Sequence, residues 1–489
     1  MSGEVSRRRA LQIAALGAVG AITGAVGTWR SFLTPASEAL PERPGQELLQ
    51  PRVLSSRGGS LDVRLRAAPG VTVAGRRTRA LGYNGTVPGP TLRVRPGDRL
   101  RVEFVNDLDS ATNLHTHGLH VSPEGRSDNV FRHVGAGKTM RYEYAIPDDH
   151  PPGTFWYHPH MHGSVADQVF GGLYGTIVVV GAGEPSVDRE RVLVVSDITL
   201  SGDGRVIPVS GPQIMAGREG ELVLVNGQLR PTITTAPGTV ERWRVLNACT
   251  SRFLRLRLDG HTLGLLGYDG QALSAPRDRD SVVLAPGNRT DFLVRLERAG
   301  SFRLRTLDVD RGGMGMMSGG SGSTSRAAEL ATVEVGGRPS ATTASPGSAE
   351  FTFRPAADLR GAALDRRRTI TFTMQMSMGG ASFGFDGQEF DPARTDQKLQ
   401  LGTVEEWTIG NDTPMDHPFH LHVWPMQVVD APDHDPSGPP DWRDVVIVPA
   451  RGQVRVRVPI SDFGGQTVYH CHILDHEDRG MMAVVVAQP

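Results

Sequence analysis

Ten of the 16 histidines in this 489-residue chain stand in four short runs. They are His115-Thr116-His117, His158-Pro159-His160, His417-Pro418-Phe419-His420-Leu421-His422, and His470-Cys471-His472 followed by His476. Neutral imidazole is the commonest protein ligand for metals, and residues two apart on a strand face the same way. Each His-x-His pair therefore offers two imidazoles to one point. The last run carries a second chemistry. His417, Cys471 and His476, with Met481 ten residues beyond the cysteine, supply two imidazoles, a thiolate and a thioether, the ligand set of a blue copper electron-transfer centre. Zinc is the rival for a Cys/His set, but a closed tetrahedral zinc site gives no reason to flank the thiolate with histidine on both sides. Strand alternation sends Cys471 to one face and His470 and His472 to the other. One stretch of backbone would then join a one-electron centre to a metal cluster.

An internal repeat must position these residues. The segments Gly97 to Asn106, Gly238 to Asn247 and Gly402 to Asn411 each hold a turn followed by period-two alternation, with Gly and Asn nine apart, and they start 141 and 164 residues apart. A second repeat, Gly153 to His158, Gly300 to Arg305 and Gly465 to His470, marks a late strand in each copy. Evenly spaced short strands with Gly/Pro turns predict antiparallel β-sandwiches with Greek-key connections. The expected units are 45–183, 190–336 and 350–489, with a Gly/Ser-rich loop at 312–325 and a linker at 337–348 before the third. His115 and His117 stand nine and eleven residues past Asn106, and His420 and His422 stand nine and eleven past Asn411. His158 and His160 match His470 and His472 in the same way, whereas the middle copy has Leu256, Leu258, Arg305 and Leu307 at these places. Eight imidazoles converge only if the outer domains face each other, which predicts a multinuclear site between the first and third.

Composition narrows the class. Hydrophobic residues at 38%, 59 Gly and 34 Pro describe a turn-rich globular chain, not a coiled coil, a collagen or a polytopic membrane protein. A net charge of −1 leaves no electrostatic footprint for nucleic acid. Cys249 and Cys471 are the two cysteines, and with Cys471 committed to metal no internal disulfide remains. Arg7-Arg8-Arg9 directly before the Gly/Ala-rich run from Ala10 to Gly27 reads as a twin-arginine export signal over residues 1–39, with an uncleaved anchor as the alternative. This predicts export through the twin-arginine machinery to the periplasm, the envelope or the medium, without stable membrane insertion of the body.

With all four runs in place, the chain resembles the multicopper oxidases, from about residue 50 to the C-terminus. The resemblance implies an all-β fold of three tandem cupredoxin-like domains and four copper ions. It assigns type 1 copper to His417, Cys471, His476 and axial Met481, and type 2 copper to His115 and His420. The type 3 pair falls to His117, His158, His160, His422, His470 and His472. The implied reaction oxidises a small-molecule or metal-ion reductant at type 1 copper and reduces O2 to water at the trinuclear cluster. Asp128 and Glu477 are, by the same resemblance, the carboxylates that supply protons. Every ligand position is filled, whereas members that became structural proteins have lost these residues. Three repeats in one chain, unlike the two-domain nitrite reductases that assemble as trimers, point to a monomer.

Other residues read more simply. Met374, Met376 and Met378 alternate along one strand face and are expected in a core. Met314, Met316 and Met317 lie in the Gly-rich loop, where thioethers could hold Cu(I). Cys249 reads as a small core residue, and His120, His133, His150, His162, His261 and His434 as non-ligands. Three functions follow: a laccase-like oxidase of phenols, aromatic amines or metal ions, a dedicated cuprous oxidase, and a non-enzymatic copper-binding or structural envelope protein.

Overall fold

The computed structural model describes residues 45–313, 324–339, 357–377 and 380–489. The leader at 1–39 and Met314, Met316, Met317 and Met378 lie outside the described residues. Among the described residues no helix is long and apolar enough to cross a membrane.

Three sandwiches follow one another along the chain. In the first, a sheet containing Thr91–Val94, Gly175–Val179, Gly153–His158 and His115–His117 packs on one containing Ser60–Pro69, Arg99–Asn106 and Thr139–Ala145. Leu65, Phe104, Tyr142, Phe155 and Ile177 close the core between them. In the second, a seven-stranded sheet around Thr239–Asn247 packs on a five-stranded sheet holding Leu254–Leu258 and Gly300–Leu307. In the third, a six-stranded sheet around Thr403–Asn411 packs on a five-stranded sheet holding His417–Leu421 and Gly465–Cys471. Residues 45–50 lie against the second sandwich rather than the first: Leu48 enters its core and Glu47 bridges Thr232.

The sheets are mixed rather than purely antiparallel. Each repeat strand runs parallel to the first long strand of its domain: Arg99–Asn106 to Ser60–Pro69, Thr239–Asn247 to Arg189–Ile198, and Thr403–Asn411 to Arg366–Ser377. Period-two alternation is the same for both directions, so the pattern could not separate them. Met374 packs against the third core, and Cys249 is buried.

The repeat asparagine does specific work. In each domain its side-chain amide donates to at least two backbone carbonyls, three for Asn106 and Asn411, and its carbonyl accepts the amide two residues on. Asn106 holds Ser110 and Val134, Asn247 holds Arg252 and Leu284, and Asn411 holds Met415 and Val448, at 2.8 to 3.1 Å. The accepted amides are those of Leu108, Cys249 and Thr413. The asparagine thus fixes the loop that leads into the His-x-His strand.

Candidate metal centre

Cys471 ends its strand fully buried, with Sγ 3.3 Å from His417 Nδ1 and 4.0 Å from His476 Nδ1. Met481 is also fully buried, and its carbonyl accepts the Cys471 amide at 3.0 Å. Both rings are braced. His417 lies 5.0 Å from Phe372 in a stacked arrangement, with Nε2 2.8 Å from Thr413 Oγ1. His476 stacks on Phe383 at 4.4 Å and donates from Nε2 to the Met215 carbonyl at 3.3 Å. The outer nitrogens are engaged while the inner ones face sulfur. Burial pushes the Cys471 thiol well above its ordinary value and His476 down to about 3. A neutral imidazole is the form that binds metal, and a cation would reverse the penalty on the thiolate.

The eight remaining imidazoles meet between the first and third sandwiches. His115 pairs with His158 across one sheet, and His420 pairs with His470 across the other. His160 Nε2 and His422 Nε2 lie 3.1 and 3.2 Å from His470 Nε2, and His472 Nε2 lies 3.3 Å from His117 Nδ1. His115 Nε2, His158 Nε2 and His420 Nε2 are buried and have no hydrogen-bond partner. Nitrogens pressed together with others left unpaired are costly in an interior, and bound metal ions would satisfy them. The donor atoms of His160, His422 and His470, those of His115, His117 and His158, and those of His115, His420 and His422 each lie within 4.8 Å of one another. The donor set fits copper. Burial keeps all eight rings neutral at neutral pH, with His160 and His470 pushed down to about 4.

Most outer nitrogens are oriented by oxygen, as metal-bound imidazoles usually are. Both Asp128 carboxylate oxygens lie 2.9 Å from His115 Nδ1 and one accepts the Thr116 amide. Glu477 Oε2 is 3.0 Å from His470 Nδ1, and Oε1 is 3.5 Å from His160 Nδ1. Burial raises both acids to about 7. His158 and His420 use the carbonyls of Pro159 and Asp444. Asp128 and Glu477 thus stand behind the ring of donors, in contact with it.

The sequence reading missed the residues that join the domains here. Asp444 Oδ1 accepts His117 Nε2–H at 3.2 Å, and both Asp444 oxygens pair with Arg289 of the middle sandwich at 2.6 and 2.7 Å. Gly118, at φ +80°, leaves room for this pair: a Cβ would come within 2.3 Å of Arg289 Nη2 and Asp444 Oδ2. The helix Leu474–Glu477, which carries His476 and Glu477, is held from both sides. Asp475 pairs with Arg218 of the middle sandwich, and Asp478 accepts the amides of Gly163, Val165 and Ala166 from the first. Nothing in the spacing of these residues distinguishes them from surface ion pairs.

In the middle sandwich Leu256 and Leu258 go to the hydrophobic core, and Leu256 lies across from Thr306 rather than Arg305. This pairing is offset by one from the His115–His158 and His420–His470 pairs of the outer sandwiches. No described member of this sandwich joins either donor cluster.

Multicopper oxidase sequence profiles match residues 68–183, 190–318 and 363–489. A multicopper oxidase from Campylobacter jejuni described as a metallo-oxidase superposes with a TM-score of 0.79 at 28% identity, over 94% of this chain and 100% of the other. A laccase of Bacillus stratosphericus is 27% identical over 83% of this chain and 90% of its own. The cell division protein FtsP of Pectobacterium atrosepticum is 26% identical over 93% and 95%. Three cupredoxin-like domains, two buried donor clusters of copper-binding type and these matches agree: the chain belongs to the multicopper oxidase family and is a copper-dependent oxidoreductase that passes electrons from a reductant to O2.

Proposed function

We propose that His417, Cys471 and His476, with Met481 as axial ligand, hold type 1 copper. In this reading His115 and His420 hold type 2 copper, and His117, His158, His160, His422, His470 and His472 hold the type 3 pair, four copper ions in all. The observation that carries it is the run 470–472: Cys471 faces His417 and His476, while both its neighbours face imidazoles of the first sandwich. Bound copper would supply reversible one-electron chemistry at the first cluster and the electrons for four-electron reduction of dioxygen at the second.

The chain's own residues do the rest. Reductant delivers electrons at His476, whose Nε2 edge points away from Cys471 toward the Met215 carbonyl. Cys471 and the backbone to His470 and His472 connect the clusters. Glu477 and Asp128, with acidities near neutral, hold protons against His470, His160 and His115 for release as oxygen is reduced. The reductants are laccase-like: phenols, aromatic amines or metal ions. We read the folding units as 45–183, 190–336 and 350–489, with residues 45–50 of the first reaching across to pack on the second. We further read the protein as a monomer exported by the twin-arginine route to the periplasm, envelope or medium.

The test is copper analysis and a visible spectrum of the copper-loaded protein and of Cys471→Ser, with oxygen uptake on a phenol and, separately, on Cu(I). We expect four coppers, an intense thiolate band and uptake in the parent. Cys471→Ser should retain three coppers and lose both the band and the uptake. A fully loaded parent that is colourless or inert contradicts the assignment and favours a binding or structural role.

A further inference from the structure

Arg311 belongs to the middle sandwich, and its guanidinium is buried at 2% exposure. Nη1 donates to the Ser251 carbonyl at 3.1 Å, and Nη2 donates to the Ala216 carbonyl and to Glu219 Oε1, both at 3.2 Å. The cation lies over the Phe253 ring at 5.4 Å. Its backbone is tied to the third sandwich. The Asp416 amide donates to the Arg311 carbonyl at 2.8 Å, the Gly313 amide donates to the Pro414 carbonyl at 2.8 Å, and Gly312 bridges Met415. This strip lies antiparallel to the segment that runs directly into His417.

The side chain reaches the other imidazole as well. Ala216, held by Nη2, follows Met215, whose carbonyl takes the His476 Nε2–H. Arg311 is therefore held by its backbone against the segment leading to His417 and by its side chain against the one touching His476. A buried cation thus sits one residue from the carbonyl that holds His476. Its direct counter-charge is Glu219, which Arg252 shares at 3.1 Å, and Arg252 in turn pairs with Asp197. Asp416, beside His417, turns its carboxylate to the Ala450 amide.

We propose that Arg311 and Glu219 together set the reduction potential of the copper held by His417, Cys471 and His476. Reduction of Cu(II) to Cu(I) removes one positive charge from the site, so a fixed cation favours the reduced state and raises the potential. Glu219 opposes that field. Arg311 is thus a positioning and tuning residue, supplied by the domain that contributes no ligand. The inference rests on the type 1 assignment above.

The test is potentiometric titration of the thiolate band in copper-loaded parent, Arg311→Met, Arg311→Lys and Glu219→Gln proteins. Arg311→Met should raise the Cu(II)/Cu(I) ratio at fixed solution potential about tenfold, a fall of 59 mV for one electron. Arg311→Lys should recover most of that change, and Glu219→Gln should shift the potential upward. Packing damage would not give opposite signs at the two positions. No shift in either, or shifts of the same sign, overturns the proposal. If Arg311→Met does not fold, an unchanged potential in Glu219→Gln overturns it and an upward shift supports it. A parent without the thiolate band would instead remove the copper assignment, and the proposal with it.

Discussion

At the scale of single residues, the decisive property is which side of a strand each donor occupies. Cys471 and its neighbours could be read in advance because period-two alternation is local and needs no knowledge of the rest of the chain. The nitrogen of each imidazole that faces the cluster could not, since that depends on oxygens brought from far away. Asp128 is thirteen residues from His115, yet both its oxygens reach His115 Nδ1. Asp128→Asn keeps the shape and exchanges a carboxylate for an amide that matches the ring poorly. Copper affinity at His115 should fall by about 10- to 100-fold, read by competition with a chelator, while the thiolate band persists. An unchanged affinity would show that the carboxylate does not orient His115.

Among the elements, the repeat strand with its terminal asparagine is the working part. The Gly and Asn positions marked the repeat from sequence, but the role of the asparagine, crosslinking the loop ahead of the His-x-His strand, required the carbonyls of Val134, Leu284 and Val448 to be in place. The three copies allow a controlled comparison. Asn411→Ala and Asn247→Ala each strand buried polar groups and should cost about 1–3 kcal/mol, seen as a lower unfolding midpoint. Only Asn411→Ala should also bleach the thiolate band, because only that loop ends at His417. Equal effects on the band would place the asparagine in stability alone. Strand direction was the part of the elements that stayed illegible, because parallel and antiparallel neighbours share one alternation.

For the whole molecule, the middle sandwich acts as a clamp. Arg289 reaches Asp444 and so His117, Arg218 reaches Asp475 beside His476, and a shared apolar cluster joins Trp156, Val194 and Leu474 from all three sandwiches. The three-domain plan and the facing of the outer domains were legible because histidines recurred at equivalent repeat positions. The clamp was not, because it consists of ordinary Arg and Asp residues with no spacing rule. Assembly buries the ten imidazoles of the two donor clusters, and their basicity in the copper-free protein lies below the ordinary value of 6.5. Their unfolded forms bind protons first as pH falls, so stability is complete above about 6.5 and is lost toward 4. Chelator-stripped protein should therefore lose thermal midpoint steeply between these values and regain it on adding copper. A flat profile would mean that the rings are not buried together.

The most direct measurement counts electrons. Copper-loaded protein is given a known amount of a one-electron reductant in an oxygen electrode, with a peroxide assay on the product. The expected result is one O2 consumed for every four electrons, without peroxide, because Cys471 joins the two clusters in one chain. Two electrons per O2 with peroxide formed, or oxidation of the reductant without oxygen uptake, would contradict it.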